Sequence, residues 1–187
     1  PSNLRFVLDD WAEKGNRSVW FNNKNYRINV FSDKEQVWIR DIHLFDENYQ
    51  DKYLKAPCST SGALYDNPPI MDGIRFSSDD TQAGMFFGNG KITDVKKNGD
   101  GCEITLTADE KEIKMQLCEE SIAITSSAEF KIEFRASKDC DVFKINEKNI
   151  EYNHDGFEYE MLIEKGRTEA EFICSEDKAA VLKFKAK

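Results

Sequence analysis

The chain has 187 residues, of which 40% are hydrophobic and 33% are charged. This length suits one well-buried core and is short for two, and the hydrophobic share excludes a disordered chain. The formal net charge is −9, and a surface of that sign repels the phosphate groups of nucleic acids and of anionic membranes. No apolar run approaches the roughly 20 residues needed to span a bilayer. Neither a nucleic-acid partner nor a membrane span is therefore expected.

The first fifteen residues have a helical pattern. Apolar side chains recur at the spacing i, i+3, i+4 and i+7, at Leu4, Val7, Leu8 and Trp11. Gly15 stands where such a helix would end. We predict a short helix near residues 3–14 and interpret residues 1–15 as a helix or linker that follows an upstream domain of the same polypeptide. Residues 16–187 are predicted to form one β-sandwich domain.

From Arg17 onward the period of the apolar residues changes to two, which is typical of strands that bury one face. Clear cases are Tyr26–Val30, Ile104–Leu106, Ile113–Leu117, Phe130–Phe134 and Phe157–Ile163. Turn sequences such as Asn98-Gly99-Asp100-Gly101 separate the strands. Because no second amphipathic helix lies between strands, we predict an all-β fold: a large two-sheet antiparallel β-sandwich of about twelve strands with one short N-terminal helix.

The five cysteines offer no obvious framework. They form an odd-numbered set without a CxxC spacing, at Cys58, Cys102, Cys118, Cys140 and Cys174. Neither a disulfide framework nor a structural zinc site is predicted, and buried free thiols are the preferred interpretation. That interpretation favours a reducing compartment, or secretion by an anaerobe. No cofactor and no metal site are predicted, and a calcium site stays open only because carboxylate-rich loops in general bind that ion.

The strand Gln36–Phe45 is the first part of a candidate site. Strict alternation would place Val37, Ile39, Asp41, His43 and Phe45 on one face and Trp38, Arg40, Ile42 and Leu44 on the other. Both faces are largely apolar, so a strand covered on both sides is predicted. Asp41 and His43 then point the same way, roughly 7 Å apart. They are either an acid/base pair or, as we prefer, part of a structural hydrogen-bond network that includes Arg40.

The stretch Asp46–Gln82 has little alternation and supplies the second part. A loop of this length inside a compact domain is usually functional or carries small elements of its own. Its aromatic and polar side chains suit a sugar ring, and with Trp38, Arg40, Asp41 and His43 they complete the candidate ligand-binding set: Tyr49, Tyr53, Tyr65, Asp66, Asp72 and Arg75. The alternative is that the tyrosines anchor the loop to the sheet.

Three features carry a resemblance to known domains. They are the leading helix that ends at Gly15, the run Val37–Phe45 that leads into the polar-aromatic loop, and the hairpins from Val142 to Phe184 with their Gly156 and Gly166 turns. In these features the chain resembles the galactose-mutarotase-like supersandwich domains of carbohydrate-active proteins such as polysaccharide lyases. The resemblance implies a β-sandwich in a carbohydrate setting. In mutarotase-like enzymes a histidine and a carboxylate act on the sugar, but no catalytic residue is carried over to this chain.

No motif of a serine hydrolase, zinc protease, P-loop protein or dinucleotide enzyme occurs. We therefore predict an accessory β-sandwich domain of a carbohydrate-active protein, which binds glycan or serves as a scaffold and has no catalytic machinery of its own. A carbohydrate and the upstream domain are the expected partners. Two alternatives stay open: a sugar-modifying enzyme, such as an epimerase or lyase that uses Asp41 and His43, and a protein-interaction or adhesive module that pairs through an exposed sheet edge.

Overall fold

The computed structural model describes residues 2–12, 14–49, 68–137, 140, 142–145, 149–154, 156–164, 167–168, 171–174 and 179–186. Three residues of the predicted site, Tyr53, Tyr65 and Asp66, lie outside the described residues. Within the described part the chain forms sixteen β-strands and no helix. The described part of the chain therefore contains no helix that is long and apolar enough to cross a lipid bilayer.

In chain order the strands are β1 (Asn3–Val7), β2 (Arg17–Asn22), β3 (Tyr26–Ser32), β4 (Gln36–Leu44), β5 (Pro69–Asp72), β6 (Gly84–Asn98), β7 (Gly101–Ala108), β8 (Lys111–Leu117), β9 (Ser121–Ser126), β10 (Phe130–Arg135), β11 (Phe143–Ile145), β12 (Asn149–His154), β13 (Phe157–Glu164), β14 (Arg167–Thr168), β15 (Glu171–Cys174) and β16 (Ala179–Ala186).

These strands form two antiparallel sheets. The first sheet runs β1-β2-β3-β4; the far edge of β4 pairs with β5 at one end and with the first part of β6 at the other. Strands β10, β15 and β14 extend this sheet beyond β6. The second sheet contains the rest of β6 and continues β7-β8-β9-β16-β13-β12-β11. The predicted all-β class with antiparallel sheets is confirmed, with more strands than the twelve that the sequence indicated.

Strand β6 passes from one sheet into the other. Its first residues pair with β4 and β10, and from Gly90 onward it pairs with β7. Gly88, at the transition, has a φ of +123°, which L side chains rarely adopt. A Cβ on Gly90 would lie 1.8 Å from the carbonyl oxygen of Thr107. Glycine at these two positions allows the backbone to turn and the neighbouring strand to approach.

The two sheets share one hydrophobic core. Its members alternate along most of the strands, as the period of two predicts; β7 contributes Cys102, Ile104, Leu106 and Ala108, and β10 contributes Phe130, Ile132 and Phe134. Full burial of an aliphatic or aromatic side chain stabilises the fold by about 1.5–3 kcal/mol. Because one face of each strand is buried in this core, only the opposite face can contribute side chains to a binding site.

The prediction of a helix over residues 3–14 is wrong. Residues Asn3–Val7 form β1, which pairs with β2 so that Leu4 lies opposite Phe21. Leu4 and Leu8 are half-buried against the core, whereas Trp11 is 93% exposed. An isolated helix of this length is marginal in water, while pairing with β2 supplies backbone hydrogen bonds together with burial. The strand therefore replaces the helix that the apolar spacing suggested.

Candidate functional site

A β-bulge in β4 decides which of its side chains face the same way. Asn29 of β3 pairs with Asp41, but Val30 pairs with Ile39, so Arg40 is an extra residue on β4. An extra residue shifts the alternation of the strand by one position. The sequence contains one trace of this shift: two polar residues, Arg40 and Asp41, separate Ile39 from Ile42, where strict alternation would place one.

The bulge gathers the polar residues of β4 on one face. The residues that belong to the hydrophobic core are Val37, Ile39, Ile42 and Leu44. The residues on the opposite side, which we call the outer face of the first sheet, are Trp38, Arg40, Asp41 and His43. The predicted division of β4 is therefore wrong, because strict alternation does not continue through the extra residue.

Asp41, His43 and Asp72 form a cluster where β4 pairs with β5. One ligand-type atom from each residue lies within 4.8 Å of those of the other two. His43 Nε2 is 3.4 Å from Asp72 Oδ2, and in the strand register Asp41 lies directly opposite Asp72. His43 is 4% exposed and Asp41 is 8% exposed. The cluster is therefore covered, and the carboxylate at ion-pair distance from His43 comes from β5.

Hydrogen bonds orient both carboxylates of the cluster. Asp72 Oδ1 accepts hydrogen bonds from the backbone N–H groups of Ile74 (3.0 Å) and Arg75 (2.8 Å). Burial by itself would raise the pKa of Asp72, but His43 and these two amides outweigh burial and lower that pKa to about 2. Asp41 accepts a hydrogen bond from Arg40 Nε (3.2 Å) and another from the backbone N–H of Gly73 (3.3 Å). Asp72 is thus ionised at neutral pH.

Buried polar atoms without a hydrogen-bond partner concentrate on this outer face. Six such side-chain atoms occur among the described residues, and five of them belong to β3 and β4: Arg27 Nε, Asn29 Oδ1, Trp38 Nε1, His43 Nδ1 and His43 Nε2. Arg27 lies opposite His43 in the strand register, and Asn29 lies opposite Asp41. The 3.4 Å contact of His43 with Asp72 lacks the alignment of a hydrogen bond. Buried unpaired polar atoms cost free energy, so their concentration marks this face as a candidate functional site.

A row of aromatic rings crosses the same outer face. Strand pairing sets Trp38 between Phe31 and Phe86. The ring centroids of Phe31 and Trp38 are 5.1 Å apart, and those of Trp38 and Phe86 are 5.2 Å apart with an interplanar angle of 20°. Trp38 and Phe86 are each only 2% exposed, although neither is part of the main hydrophobic cluster.

Two arginines lie against these rings. The guanidinium carbon of Arg40 is 4.9 Å from the centroid of Phe31 and 5.7 Å from that of Trp20. That of Arg135 is 4.0 Å from the centroid of Phe86. Such cation–π contacts stabilise by about 0.5–2 kcal/mol each. We call the set the aromatic strip: Trp20, Phe31, Trp38, Arg40, Phe86 and Arg135.

Two more residues of the predicted site, Tyr49 and Arg75, belong neither to the cluster nor to the aromatic strip. Tyr49 Oη is 3.2 Å from His154 Nε2, and the Tyr49 ring meets Phe157 edge-on at 4.9 Å between centroids. Tyr49 thus packs on the second sheet, as the anchoring alternative predicts for this one tyrosine. Arg75 is exposed, and its backbone N–H bonds to Asp72.

Several residues of this face were missed in the sequence. On β3, Arg27, Asn29 and Phe31 alternate with the core residues Ile28 and Val30. That alternation was visible and pointed to one common face. The involvement of the more distant Phe86 and Arg135 depends on strand order, for which the sequence contains no local signal.

The cluster has two chemical capabilities. An imidazole beside a carboxylate can exchange protons, and one imidazole with two carboxylates can bind a divalent cation. The strip offers apolar ring surface with charged groups beside it.

No protein-family model and no curated protein matches the chain. Among solved structures, it is similar to the periplasmic domain of Thermotoga maritima YidC, with a TM-score of 0.50 and 9% identity over 96% of this chain and 85% of that one. It is also similar to an active YidC insertase whose crystal structure resolves the first transmembrane domain, with a TM-score of 0.51 and 9% identity over 98% of this chain. The chain spans 41% of the length of that insertase chain. At this identity the likeness concerns the fold alone.

Proposed function

We propose that this chain is an accessory β-sandwich domain without catalytic machinery, which binds a glycan along the aromatic strip. The observation that carries the proposal is the pair of half-buried rings, Trp20 and Phe31, on the face opposite the core, with the guanidinium group of Arg40 against both. The buried rings of Trp38 and Phe86 continue the row beside Phe31. The C–H faces of sugar rings pack on aromatic faces, and sugar hydroxyls accept hydrogen bonds from guanidinium groups.

The shape of the strip favours an oligosaccharide over a single sugar. It extends over the adjacent strands β2, β3, β4 and β6, which at about 4.8 Å per strand spacing is roughly 14 Å. Within that length the half-buried rings of Trp20 and Phe31 are the aromatic surface that a sugar can contact, because Trp38 and Phe86 are each only 2% exposed. The side chains of Arg40 and Arg135 are 32% and 35% exposed, so both remain accessible to a ligand.

The polar groups beside the strip suit binding better than hydrolysis. Glu133 is held by Arg135 through two hydrogen bonds, of 2.7 Å and 3.0 Å. The hydrogen bonds from Arg135 are the main reason that the pKa of Glu133 is lowered. A lowered pKa keeps the carboxyl group ionised, so Glu133 is poorly suited to donate a proton. Arg135 also donates a hydrogen bond to Gln36 Oε1 at 3.2 Å. These contacts hold Arg135 in place over Phe86.

A glycan array followed by calorimetric titration of the 187-residue chain tests this proposal. Trp20 is the half-buried aromatic end of the strip, and Trp11 is an exposed tryptophan outside it. We expect Trp20→Ala to weaken glycan binding about tenfold, since a lost aromatic stacking contact costs about 0.5–1.5 kcal/mol beyond the loss of buried area. Trp11→Ala should bind as the unsubstituted chain does. Absence of binding to every glycan, or equal loss in both variants, would rule the proposal out.

One observation favours a second candidate, a module that self-associates through its sheet edge. Strand β1 stands at the end of the first sheet and, among the described strands, pairs with β2 alone. It exposes Phe6 (50%) and Val7 (53%), and Trp11 follows it. An apolar edge strand of this kind is a template for pairing with another strand.

Analytical ultracentrifugation over a concentration series separates this second candidate from the first. Pairing through β1 predicts a dimer that Phe6→Lys abolishes, because an inserted charge discourages edge pairing. Trp20→Ala would leave that dimer intact. A chain that stays monomeric over the whole series eliminates the second candidate and leaves glycan binding unaffected.

A further inference from the structure

We propose that Asp41, His43 and Asp72 bind a divalent transition-metal cation of the zinc class. The proposal goes beyond glycan binding and does not depend on it, since the cluster lies at the β4–β5 pairing and the strip's rings lie on β2, β3, β4 and β6. The observation behind it is that three donor atoms from three residues lie within 4.8 Å of one another.

The spacing of the donors matches a metal polyhedron. Zinc binds imidazole nitrogen and carboxylate oxygen at about 2.0–2.2 Å, which in a tetrahedron leaves neighbouring donors about 3.4 Å apart. His43 Nε2 and Asp72 Oδ2 are 3.4 Å apart. Asp41 completes the triangle with a small inward movement, since its atom lies within 4.8 Å of the other two. Three protein ligands leave a fourth position for water or another ligand.

The types of donor select the class of cation. Calcium takes six to eight oxygen donors, and magnesium keeps most of its waters. An imidazole together with carboxylates suits zinc and the neighbouring first-row metals. The cluster offers one nitrogen and two carboxylates, which is too few oxygens for calcium and includes a donor that magnesium does not favour.

The state of the His43 ring is a second, independent observation. The residue is 4% exposed, and neither ring nitrogen has a hydrogen-bond partner. Buried histidines in a purely structural role are normally satisfied by hydrogen bonds. A cation bound to Nε2 would satisfy that nitrogen and would replace the unaligned contact with Asp72.

The two carboxylates are already held as metal ligands usually are. Backbone N–H groups of Ile74 and Arg75 bond to Oδ1 of Asp72, which leaves Oδ2 directed at His43. The Gly73 N–H and Arg40 Nε bond to Asp41. Outer hydrogen bonds of this kind orient ligands and reduce the entropy that binding must remove.

Two positively charged side chains near the cluster limit its expected affinity for a cation. Arg40 is paired with Asp41, and Arg27 lies opposite His43 in the strand register. Both guanidinium groups oppose a cation through Coulomb repulsion. We therefore expect a dissociation constant in the micromolar range rather than the nanomolar range.

The test is titration of the metal-free, tag-free chain with Zn²⁺ by calorimetry and with Co²⁺ by visible absorption. Cobalt reports the donor atoms, because thiolate ligands from the five cysteines would add an intense charge-transfer band that nitrogen and oxygen ligands lack. The variants are His43→Gln and Asp72→Asn, with His154→Gln as the matched control. The chain has two histidines, and His154 is also buried (6%) but lies against Tyr49.

We expect one Zn²⁺ per chain, a cobalt spectrum without the thiolate band, and at least tenfold weaker binding in both cluster variants. His154→Gln should bind as the unsubstituted chain does. Zn²⁺ should raise the melting temperature of the unsubstituted chain but not of Asp72→Asn, a half-buried position where the variant is expected to fold. Absent binding, a thiolate band, binding that survives both cluster substitutions, or binding of Ca²⁺ or Mg²⁺ in preference to Zn²⁺ would each overturn the proposal.

Discussion

Asp72 Oδ2 lies 3.4 Å from His43 Nε2, although the whole stretch between β4 and β5 separates the two residues along the chain. The contact exists because β5 returns to pair with the end of β4 and places Asp72 opposite Asp41. An acid/base interpretation limited to Asp41 and His43 therefore overlooks the nearer carboxylate. Both the metal proposal and any proton-transfer chemistry at this cluster need Asp72.

The hydroxyl of Tyr159 donates a hydrogen bond to Asp46 Oδ2, and this bond is the main reason that the pKa of Asp46 lies below its ordinary 3.8. A lowered pKa means that ionised Asp46 stabilises the fold above pH 3.8 and that this contribution is lost as the pH falls through the lowered value. Tyr159→Phe should lower the free energy of unfolding by about 1 kcal/mol at neutral pH. Urea unfolding should show the difference shrinking as the pH falls below 3.8.

Tyr152→Phe is the matched control for that experiment. Tyr152 lies opposite Tyr159 on the neighbouring strand, and its buried hydroxyl has no hydrogen-bond partner. Removing an unsatisfied buried hydroxyl is neutral or stabilising. A loss of stability in Tyr152→Phe as large as in Tyr159→Phe would show that ring packing, and not the bond to Asp46, carries the effect.

The bulge at Arg40 decides which side chains of β4 face the core, and therefore how strongly a substitution on β4 lowers the free energy of unfolding. Ile42 is fully buried in the core, so Ile42→Ala should lower the free energy of unfolding by about 2–4 kcal/mol. Ile74, which is 88% exposed, provides the same substitution at the surface, and Ile74→Ala should change stability by less than about 0.5 kcal/mol. Chemical denaturation measures both. Equal and small effects would mean that Ile42 does not face the core.

Cysteine reactivity should follow burial. Cys102 is fully buried, and burial raises the pKa of its thiol to about 12, so almost no reactive thiolate exists near pH 8. Cys118 is exposed. Iodoacetamide labelling of the folded chain should therefore modify Cys118 and leave Cys102 unmodified until the chain is unfolded, as peptide mass spectrometry would show. Prompt labelling of Cys102 in native conditions would contradict its place in the core.

Exposed and buried tryptophans should differ in how readily acrylamide quenches their fluorescence. Trp11 is 93% exposed and Trp38 is 2% exposed. In acrylamide titrations, Trp11→Phe should remove most of the readily quenched emission, whereas Trp38→Phe should remove emission that resists the quencher. The reverse assignment would contradict the burial of Trp38 between Phe31 and Phe86.

The sequence by itself determined the all-β class, because alternation such as that of Ile104 and Leu106 needs only the pleat of a strand and one buried face. It also singled out Trp38, Arg40, Asp41, His43 and Asp72 as unusual polar or aromatic residues. It misled at residues 3–14, where a helical spacing belongs to the edge strand β1. The carbohydrate resemblance remains a prediction.

Tertiary structure decided what those residues form together. One extra residue, Arg40, shifts the alternation of β4 by one position and brings Trp38, Asp41 and His43 to the same face. The sequence indicates this change only through the adjacent polar residues Arg40 and Asp41, which do not by themselves identify a bulge. The return of β5 adds Asp72, and the passage of β6 between the sheets adds Phe86. Strand order and register depend on long-range packing of the whole core, whereas alternation is local, so the sequence indicated the strands and the fold assembled the site.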